Sequence, residues 1–331
     1  MNRILLLIMS MLLMLGLIAC SDESSNQNDD EESLKEINVM LDWYPNAVHS
    51  FLYVAEEKGY FEEEGLDVSI EFPANTTDPI NHAASGKVTL GFYYQPDVIM
   101  ARANEDIPVK SVGEIVRSPL NYLVFKEEQK IETPADLIDK KVGYPGITIN
   151  EALLTTILQD VDENPDDVEL IDVGFELGSA IITENVDAVF GAFINHEVPV
   201  LEHEGHDIDY INPVDFGVPD YSEMVVVTGE DTWEEQEDEI EAFWRAAQKG
   251  FDFMEENPDE ALTILLDNQD EANFPLDEEI EKESLKILLP KMESTDGLRV
   301  QDGESWEETA EWLKVEGLID EVPPMEDLYI K

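Results

Sequence analysis

Residues 36–71, EINVMLDWYPNAVHSFLYVAEEKGYFEEEGLDVSIE, contain the succession of local patterns that decides the fold class. Apolar side chains lie at alternate positions in 37–41, which is typical of a half-buried strand. Residues 47–58 then carry apolar side chains at helical spacing until Gly59 ends the pattern, and 67–72 predict a second strand. A strand, a helix and a strand in this order predict an α/β sheet with helices on its faces.

The alternation continues along the chain and restarts after Ser118-Pro119. Before this point the patterns predict helices at 78–85 and 97–105 and strands at 88–93 and 109–116. After it they predict strands at 122–125, 141–144, 168–173 and 188–190 and helices at 134–138, 147–159, 178–183 and 197–204. From about residue 223 the chain is expected to be mostly helical. The sequence therefore predicts two small α/β units followed by a helical region.

The charge of the chain is extreme. Its 331 residues include 77 Asp and Glu against 19 Lys and Arg, giving a formal net charge of −58. The sequence has no cluster of basic residues that could reverse this field locally, which excludes nucleic acid as a partner. The apolar content of 43% is enough for hydrophobic cores and opposes intrinsic disorder. We interpret the charge as adaptation to saline or alkaline surroundings, where dissolved ions screen the self-repulsion.

The N-terminus predicts export and lipid attachment. Arg3 precedes an apolar run at 4–19, which is too short for a comfortable transmembrane span. The run ends at Cys20, the only cysteine, in a sequence that resembles the lipobox of bacterial lipoproteins. We expect a signal peptide at 1–19 and, over 20–35, a lipidated cysteine with a disordered acidic tether. The protein would then lie at the outer face of a bacterial cell membrane; the alternative is a plain anchor helix with an incidental cysteine.

The signatures of several common enzyme classes are missing from the sequence. No GxSxG elbow, Walker loop, dinucleotide-binding GxGxxG or HExxH occurs. Residues 202–206, EHEGH, could in principle bind a metal ion, but an exposed polar loop is the simpler interpretation. We therefore predict neither a metal site nor a cofactor.

Three segments follow predicted strands and carry side chains suited to a ligand. LDWYPNAVH (41–49) offers two aromatic rings, which serve either as a stacking surface or as core. GYPG (143–146) offers glycines for close backbone approach before a helix N-terminus, or is simply a turn. GAFINHE (191–197) offers an aromatic ring and a carboxylate together. Because ligands of open α/β sheets bind outside the carboxyl ends of the strands, we expect a ligand site at these segments.

The same segments resemble a known family. Residues 41–71, followed by ASGKVTLGF (84–92), GYPG and GAFINHE, are similar to the substrate-binding proteins related to thiamine-pyrimidine synthases. Within that family the similarity is greatest to the formylaminopyrimidine-binding members of thiamine-salvage ABC importers, and it covers nearly the whole mature chain. The resemblance implies a type II periplasmic-binding-protein fold, in which two α/β lobes close on a ligand in the cleft. Lobe 1 would comprise 36–118 and 222–331, and lobe 2 would comprise 119–221, with hinge crossovers at its ends.

The resemblance also implies roles for individual residues. Trp43 and Phe193 would stack on opposite faces of a pyrimidine, one from each lobe, and Glu197 would accept hydrogen bonds from its exocyclic amine. This is chemically reasonable, since an aminopyrimidine has a π face and an edge of hydrogen-bond donors. Further cleft candidates, chosen by location, are Asn46, His49, Tyr94, Tyr122, Gly146 and Glu223.

The implied function is capture of N-formyl-4-amino-5-aminomethyl-2-methylpyrimidine by a monomeric, non-enzymatic binding protein. Its partners would be the ABC permease and ATPase, with a lipid anchor in the membrane. One alternative is a binding protein for another nitrogenous solute such as riboflavin. The other is a pyrimidine-synthase-like enzyme that uses pyridoxal phosphate and consumes its own histidine, which His49 matches in location. Those enzymes carry a cysteine-rich motif between the lobes, whereas this chain has no cysteine after Cys20, which favours binding over catalysis.

Overall fold

The computed structural model describes residues 33–174, 176–269 and 275–331. The strands in chain order are β1 (Lys35–Met40), β2 (Leu66–Glu71), β3 (Leu90–Tyr93), β4 (Val109–Val116), β5 (Asn121–Lys126), β6 (Lys141–Tyr144), β7 (Glu169–Asp172), β8 (Ala188–Phe193), β9 (Ile208–Ile211) and β10 (Met224–Gly229). The predicted signal peptide, Cys20 and nearly all of the tether lie outside the described residues.

Helices connect most of these strands and form the C-terminal region. They are α1 (Ser50–Glu57), α2 (Tyr60–Glu63), α3 (Asp78–Ala84), α4 (Gln95–Glu105), α5 (Thr148–Asp160), α6 (Leu177–Ile182), α7 (Glu197–His203), α8 (Glu230–Glu256), α9 (Pro258–Asp267), α10 (Glu278–Met292), α11 (Gly303–Val315) and α12 (Met325–Leu328). Short 3₁₀ turns occur at Ala47–His49, Glu127–Gln129, Pro134–Leu137, Pro165–Asp167 and Pro213–Phe216. No helix in the described part of the chain is long and apolar enough to cross a membrane.

The first lobe is built on a five-stranded sheet with the order β2-β1-β3-β10-β4. β1 pairs in parallel with β2 and with β3, as expected when helices connect successive strands. β10 is antiparallel to both of its neighbours, β3 and β4. This lobe therefore receives its fourth strand in sheet order from a part of the chain far beyond the other four.

The second lobe is built on a sheet with the order β7-β6-β8-β5-β9. β6 pairs in parallel with β7 and β8, whereas β5 is antiparallel to β8 and β9. The chain passes from the first sheet to the second between β4 and β5, and returns between β9 and β10. The fold class expected from the sequence is confirmed, while the numerical lobe boundaries at 118/119 and 221/222 stay predictions.

The expectation that the chain is mostly helical from about residue 223 was wrong for its first six residues. Met224–Gly229 forms β10, whose residues are all buried. A strand buried on both faces shows no alternation of apolar and polar side chains, so the periodicity that revealed β1 is missing here. β9 was also missed, because only its two end residues are buried.

Helix α8 covers one face of the first sheet. The apolar side chains that recur at helical spacing along α8 are all buried, and they are those of Ile240, Phe243, Trp244, Ala247 and Phe251. The indole of Trp244 lies so close to the backbone of β4 that only glycine fits beneath it: a Cβ on Gly113 would lie 2.3 Å from Cζ2. This packing fixes the sheet that carries the first part of the candidate site.

Candidate ligand-binding site

The segment after β1 is held in shape by its own polar groups. Asn46 precedes the 3₁₀ turn, and its side-chain Oδ1 accepts a hydrogen bond from the backbone N–H of Val48 at 3.1 Å. Its Nδ2 donates to the carbonyl of Tyr44 at 3.0 Å, and its backbone N–H donates to Nδ1 of His49 at 3.3 Å. Both polar ends of the Asn46 side chain therefore stabilise the loop that presents Trp43.

A buried carboxylate links this loop to the next strand end. Asp42 accepts a hydrogen bond from the hydroxyl of Tyr94, which follows β3, at 2.9 Å, and its other oxygen lies 2.9 Å from Nε2 of His49. Because Nδ1 of His49 accepts a hydrogen bond from the Asn46 backbone N–H, Nε2 carries the ring proton and donates a hydrogen bond to Asp42. Burial, followed by the neighbouring charge of Asp42, raises the pKa of Tyr94 well above its ordinary value. Asp42 thus brings Asn46, His49 and Tyr94 together, although sequence analysis did not select it.

Aromatic surface accompanies this cluster. Trp43 is 44% exposed, and its ring meets that of Tyr44 edge to face, with centroids 5.5 Å apart. Tyr44 in turn contacts Phe72 at a centroid distance of 5.3 Å. Trp43, Tyr44 and residues 73–76 line a cavity of about 320 Å³. The indole is therefore partly exposed beside this cavity, and its stacking on a ligand stays a prediction.

The end of β8 and the segment after it supply a second ring and a carboxylate. Phe193 is half-buried, and its backbone N–H donates to Oε2 of Glu197 at 2.7 Å. The other carboxylate oxygen of Glu197 lies 3.3 Å from Nδ1 of His196. This contact with Glu197 raises the pKa of His196, against the opposing effect of burial. The structure therefore brings Phe193 and Glu197 together, whereas the sandwich of a ligand between Trp43 and Phe193 stays a prediction.

Glycines allow the loops of the second lobe to approach each other closely. Gly146 has φ +75°, and a Cβ there would lie 3.0 Å from Oδ2 of Asp172. Gly191 has φ +102°, and a Cβ there would lie 2.7 Å from Cδ of Pro145. Both positions are therefore strained for any other residue. The GYPG turn consequently packs directly on the end of β8.

Glu223 and Lys291 hold the crossover between β4 and β5 from opposite sides. The carbonyl of Pro119 accepts a hydrogen bond from Nζ of Lys291 at 3.1 Å. The N–H of Leu120, in the same peptide group, donates to Oε2 of Glu223 at 2.8 Å, and Asn121 N–H donates to the same oxygen at 3.3 Å. Since Glu223 lies just before β10, it joins the two crossovers between the lobes.

Burial changes the proton affinity of these groups. It raises the pKa of Glu223 to about 7, although the two backbone N–H donors act in the opposite direction. It also raises the pKa of Tyr122 to about 12 and lowers that of Lys291. The hydroxyl of Tyr122 lies 3.3 Å from Nζ of Lys291, which places Tyr122 beside the crossover between β4 and β5. Tyr122 and Glu223 are thus neighbours of the same lysine and crossover.

Helix α10 supplies two further groups that sequence analysis missed. Oε2 of Glu281 accepts a hydrogen bond from the backbone N–H of Ala47 at 2.7 Å. Oγ of Ser284 accepts one from Nδ2 of Asn195, in the segment after β8, at 3.1 Å. Asn195 stands within the GAFINHE segment, but nothing in the acidic sequence of α10 distinguishes Glu281 or Ser284 from their neighbours.

The EHEGH sequence contributes no metal site to the structure. His203 ends α7, and its Nδ1 lies 3.8 Å from Oε2 of Glu279 in an exposed contact. Among residues 33–174, 176–269 and 275–331, no group of three or more His, Cys, Asp and Glu side chains could hold a metal ion.

Comparison with known proteins identifies close relatives. The family described as NMT1/THI5 like matches residues 46–261. The formylaminopyrimidine-binding protein of Halalkalibacterium halodurans is 54% identical over 96% of this chain and 96% of that protein. The 4-amino-5-hydroxymethyl-2-methylpyrimidine phosphate synthase of Legionella pneumophila is 24% identical over 87% of this chain and 89% of that protein.

A solved structure supports the architecture independently. The periplasmic aliphatic sulphonate binding protein of Escherichia coli superposes with a TM-score of 0.71. The match covers 90% of this chain and 93% of that protein at 13% sequence identity. The superposition shows that the two proteins share their fold, whereas identity this low says nothing about a shared ligand.

Proposed function

Because this chain belongs to the NMT1/THI5 like family, we propose that it is the extracytoplasmic solute-binding protein of an ABC importer. Its ligand is the thiamine-precursor pyrimidine N-formyl-4-amino-5-aminomethyl-2-methylpyrimidine, which the two lobes enclose. The observation that carries the proposal is the 54% identity, over 96% of both chains, with the formylaminopyrimidine-binding protein. The share of each chain that is covered includes both lobes.

The site residues have the chemistry that such a ligand requires. Trp43 and Phe193 stack on the two faces of the pyrimidine, each contributing about 1 kcal/mol beyond the area that it buries. Glu197 accepts a hydrogen bond from the exocyclic amine, and a bond to a charged group contributes about 1.5–3 kcal/mol. Its orientation is already fixed by the Phe193 N–H at 2.7 Å, so little entropy is lost when the ligand binds.

The remaining candidates support this arrangement from around the cleft. Asn46, His49 and Tyr94 hold the loop of Trp43 through Asp42. Three candidates shape the second lobe and the crossover that leads into it: Tyr122, Gly146 and Glu223. Each of these residues was selected by its location, and each is proposed to orient groups that bind the ligand.

A binding protein fits the structure better than an enzyme does. Both ring nitrogens of His49 are hydrogen-bonded within the protein and the side chain is fully buried, so this ring is poorly placed to react. The carboxylate of Glu197 also opposes an anionic ligand such as a sulfonate. The relationship to a pyrimidine phosphate synthase, at 24% identity, leaves an enzyme as the second candidate.

The cellular setting is part of the proposal. Lipid attachment at Cys20 would place the protein at the outer face of the bacterial cell membrane, beside the permease and ATPase subunits that receive the ligand. We propose that it acts there as a monomer, with no metal and no cofactor. The net charge of −58 is then an adaptation of an exposed surface to a saline or alkaline medium.

Calorimetric titration tests the proposed function. The purified protein should bind formylaminopyrimidine more tightly than thiamine or riboflavin. Glu197→Gln keeps the oxygen that accepts from Phe193 but removes the charge, and should weaken binding about 10- to 100-fold. Glu202→Gln, an exposed change on the same helix, is the matched control and should leave affinity unchanged. Absence of formylaminopyrimidine binding, or equal affinity in wild type and Glu197→Gln, would contradict the assignment.

A further inference from the structure

One face of helix α10 contacts both halves of the candidate site. Glu281 and Ser284 are three residues apart, so their side chains lie on the same side of the helix, about 4.5 Å apart along its axis. They are only 3% and 2% exposed, respectively. Each makes a hydrogen bond to a different ligand-binding segment, one in each lobe.

The contact of Glu281 is with the first segment. Its carboxylate accepts a hydrogen bond from the backbone N–H of Ala47 at 2.7 Å. Ala47 begins the 3₁₀ turn after the Trp43 loop. Burial raises the pKa of Glu281, while this N–H and the nearby rings of His196 and His49 act in the opposite direction. A buried carboxylate directed at one backbone N–H fixes the position of that turn, because the charged acceptor strengthens the bond.

The contact of Ser284 is with the second segment. Its hydroxyl accepts from Nδ2 of Asn195, which stands between Phe193 and Glu197. The Asn195 side chain is buried, and its Oδ1 has no hydrogen-bond partner among the residues that the structure describes. An unsatisfied buried carbonyl lowers stability, so a maximally stable protein would favour an apolar side chain at this position. The presence of an amide here, bonded through Nδ2 to Ser284, points to a function in placing the segment.

We propose that Glu281 and Ser284 are positioning residues that set the separation between the Trp43 loop and the Phe193–Glu197 segment. Helix α10 is a rigid spacer, and the site it defines accepts a single pyrimidine ring in preference to a larger ligand. Neither residue needs to touch the ligand. This inference rests on the proposed function, which supplies the ligand and the roles of the two segments.

A double-mutant cycle tests the contact of Ser284. Ser284→Ala and Asn195→Ala should each weaken formylaminopyrimidine binding about 5- to 10-fold, mainly through faster dissociation. The double variant should lose no more than either single variant, because both changes remove the same hydrogen bond. Ser111→Ala is the matched control, since Ser111 is also fully buried but its hydroxyl donates to Gly113 within β4. It should leave the affinity unchanged.

Ligand selectivity separates positioning from a merely structural role. Ser284→Ala should relax the spacer. In this variant the ratio of the affinity for formylaminopyrimidine to the affinity for thiamine should fall at least threefold. A general loss of stability would leave that ratio unchanged. Glu281→Gln retains an oxygen for the Ala47 N–H and should keep near-wild-type selectivity, and Glu281→Leu should lose it. If Ser284→Ala fails to fold, Asn195→Ala tests the same contact from the opposite lobe. If Glu281→Leu fails to fold, the Ser284 and Asn195 variants still test the spacing between the two segments.

The outcomes distinguish this inference from the proposed function. If the wild-type protein does not bind formylaminopyrimidine, the proposed function fails and the inference fails with it. If the wild type binds, but the effects of Ser284→Ala and Asn195→Ala simply add and selectivity is unchanged, only the spacer role is overturned. Non-additive losses together with a narrowed preference support it.

Discussion

Replacing Glu223 by glutamine should remove a pH-dependent loss of stability from this protein. The carboxyl group is buried at the crossover between β4 and β5, where its Oε2 accepts hydrogen bonds from the N–H groups of Leu120 and Asn121. Glutamine has nearly the same shape and keeps one oxygen for these two donors, but it cannot ionise. The substitution therefore tests the charge of the group while leaving its hydrogen bonds in place.

The expected magnitude follows from the change in proton affinity. Burial raises the pKa of Glu223 from 4.5 to about 7. At about 1.4 kcal/mol per pKa unit, this difference corresponds to about 3 kcal/mol. The native state holds the proton more tightly than the unfolded state, so the stabilisation is complete below pH 4.5 and is lost as the pH rises through about 7. The Glu223→Gln variant should lack this loss.

Urea unfolding at pH 5, 6, 7 and 8 provides the measurement. The free energy of unfolding of the wild type, minus that of Glu223→Gln, should fall by about 2.5 kcal/mol from pH 5 to pH 8, because a smaller part of the effect is already lost between pH 4.5 and pH 5. Asp97, whose pKa burial raises to about 6, is present in both proteins and largely cancels in the difference. Glu235→Gln, an exposed change, is the control. A difference that stays constant over this pH range would refute the account of Glu223.

Three further predictions concern packing, buried charge and salt. Gly250→Ala should lower the free energy of unfolding by about 2 kcal/mol, because its Cβ would lie 2.3 Å from the carbonyl oxygen of Phe51; unchanged urea unfolding would contradict this. Glu114→Ala should cost about 3–5 kcal/mol, since it removes the partner of Arg117 at 2.8 Å and of the Trp306 indole N–H at 3.0 Å; Glu114→Gln should be milder in the same assay. The melting temperature should rise between low salt and 1 M NaCl as ions screen a net charge of −58, and a melting temperature insensitive to salt would count against that explanation.

The sequence predicted the elements that show clear periodicity. The strand expected at 109–116 is β4, and the helix expected at 78–85 is α3 to within one residue. The region 47–58 was less simple, because it is divided into a 3₁₀ turn and α1. The reason is that the hydrogen bonds of Asn46 and His49 close a separate 3₁₀ turn. This turn ends directly before α1 begins. Local hydrogen bonding of this kind leaves no trace in apolar spacing.

The candidate site could be predicted only where it lies on consecutive residues. Trp43, Phe193 and Glu197 were selected because they lie at or just beyond strand ends in recognisable segments, and their role stays a prediction. Asp42 was missed although it directly follows β1, since a single acidic residue carries little information among 77. Glu281 and Ser284 reach the site from a helix far along the chain, and their role depends on tertiary packing that no local pattern encodes.

The position of β10 has a consequence for the order in which the protein forms. In the described part of the chain, β4 joins the first sheet only through β10, which pairs with both β3 and β4. During synthesis, β4 must therefore wait for residues 224–229 before it can join the sheet, whereas β5 to β9 are contiguous and can assemble first. Contacts between distant segments slow folding, because the intervening loop must close before they form. The second lobe should accordingly acquire protection from hydrogen exchange before β4 does, although β4 is made earlier.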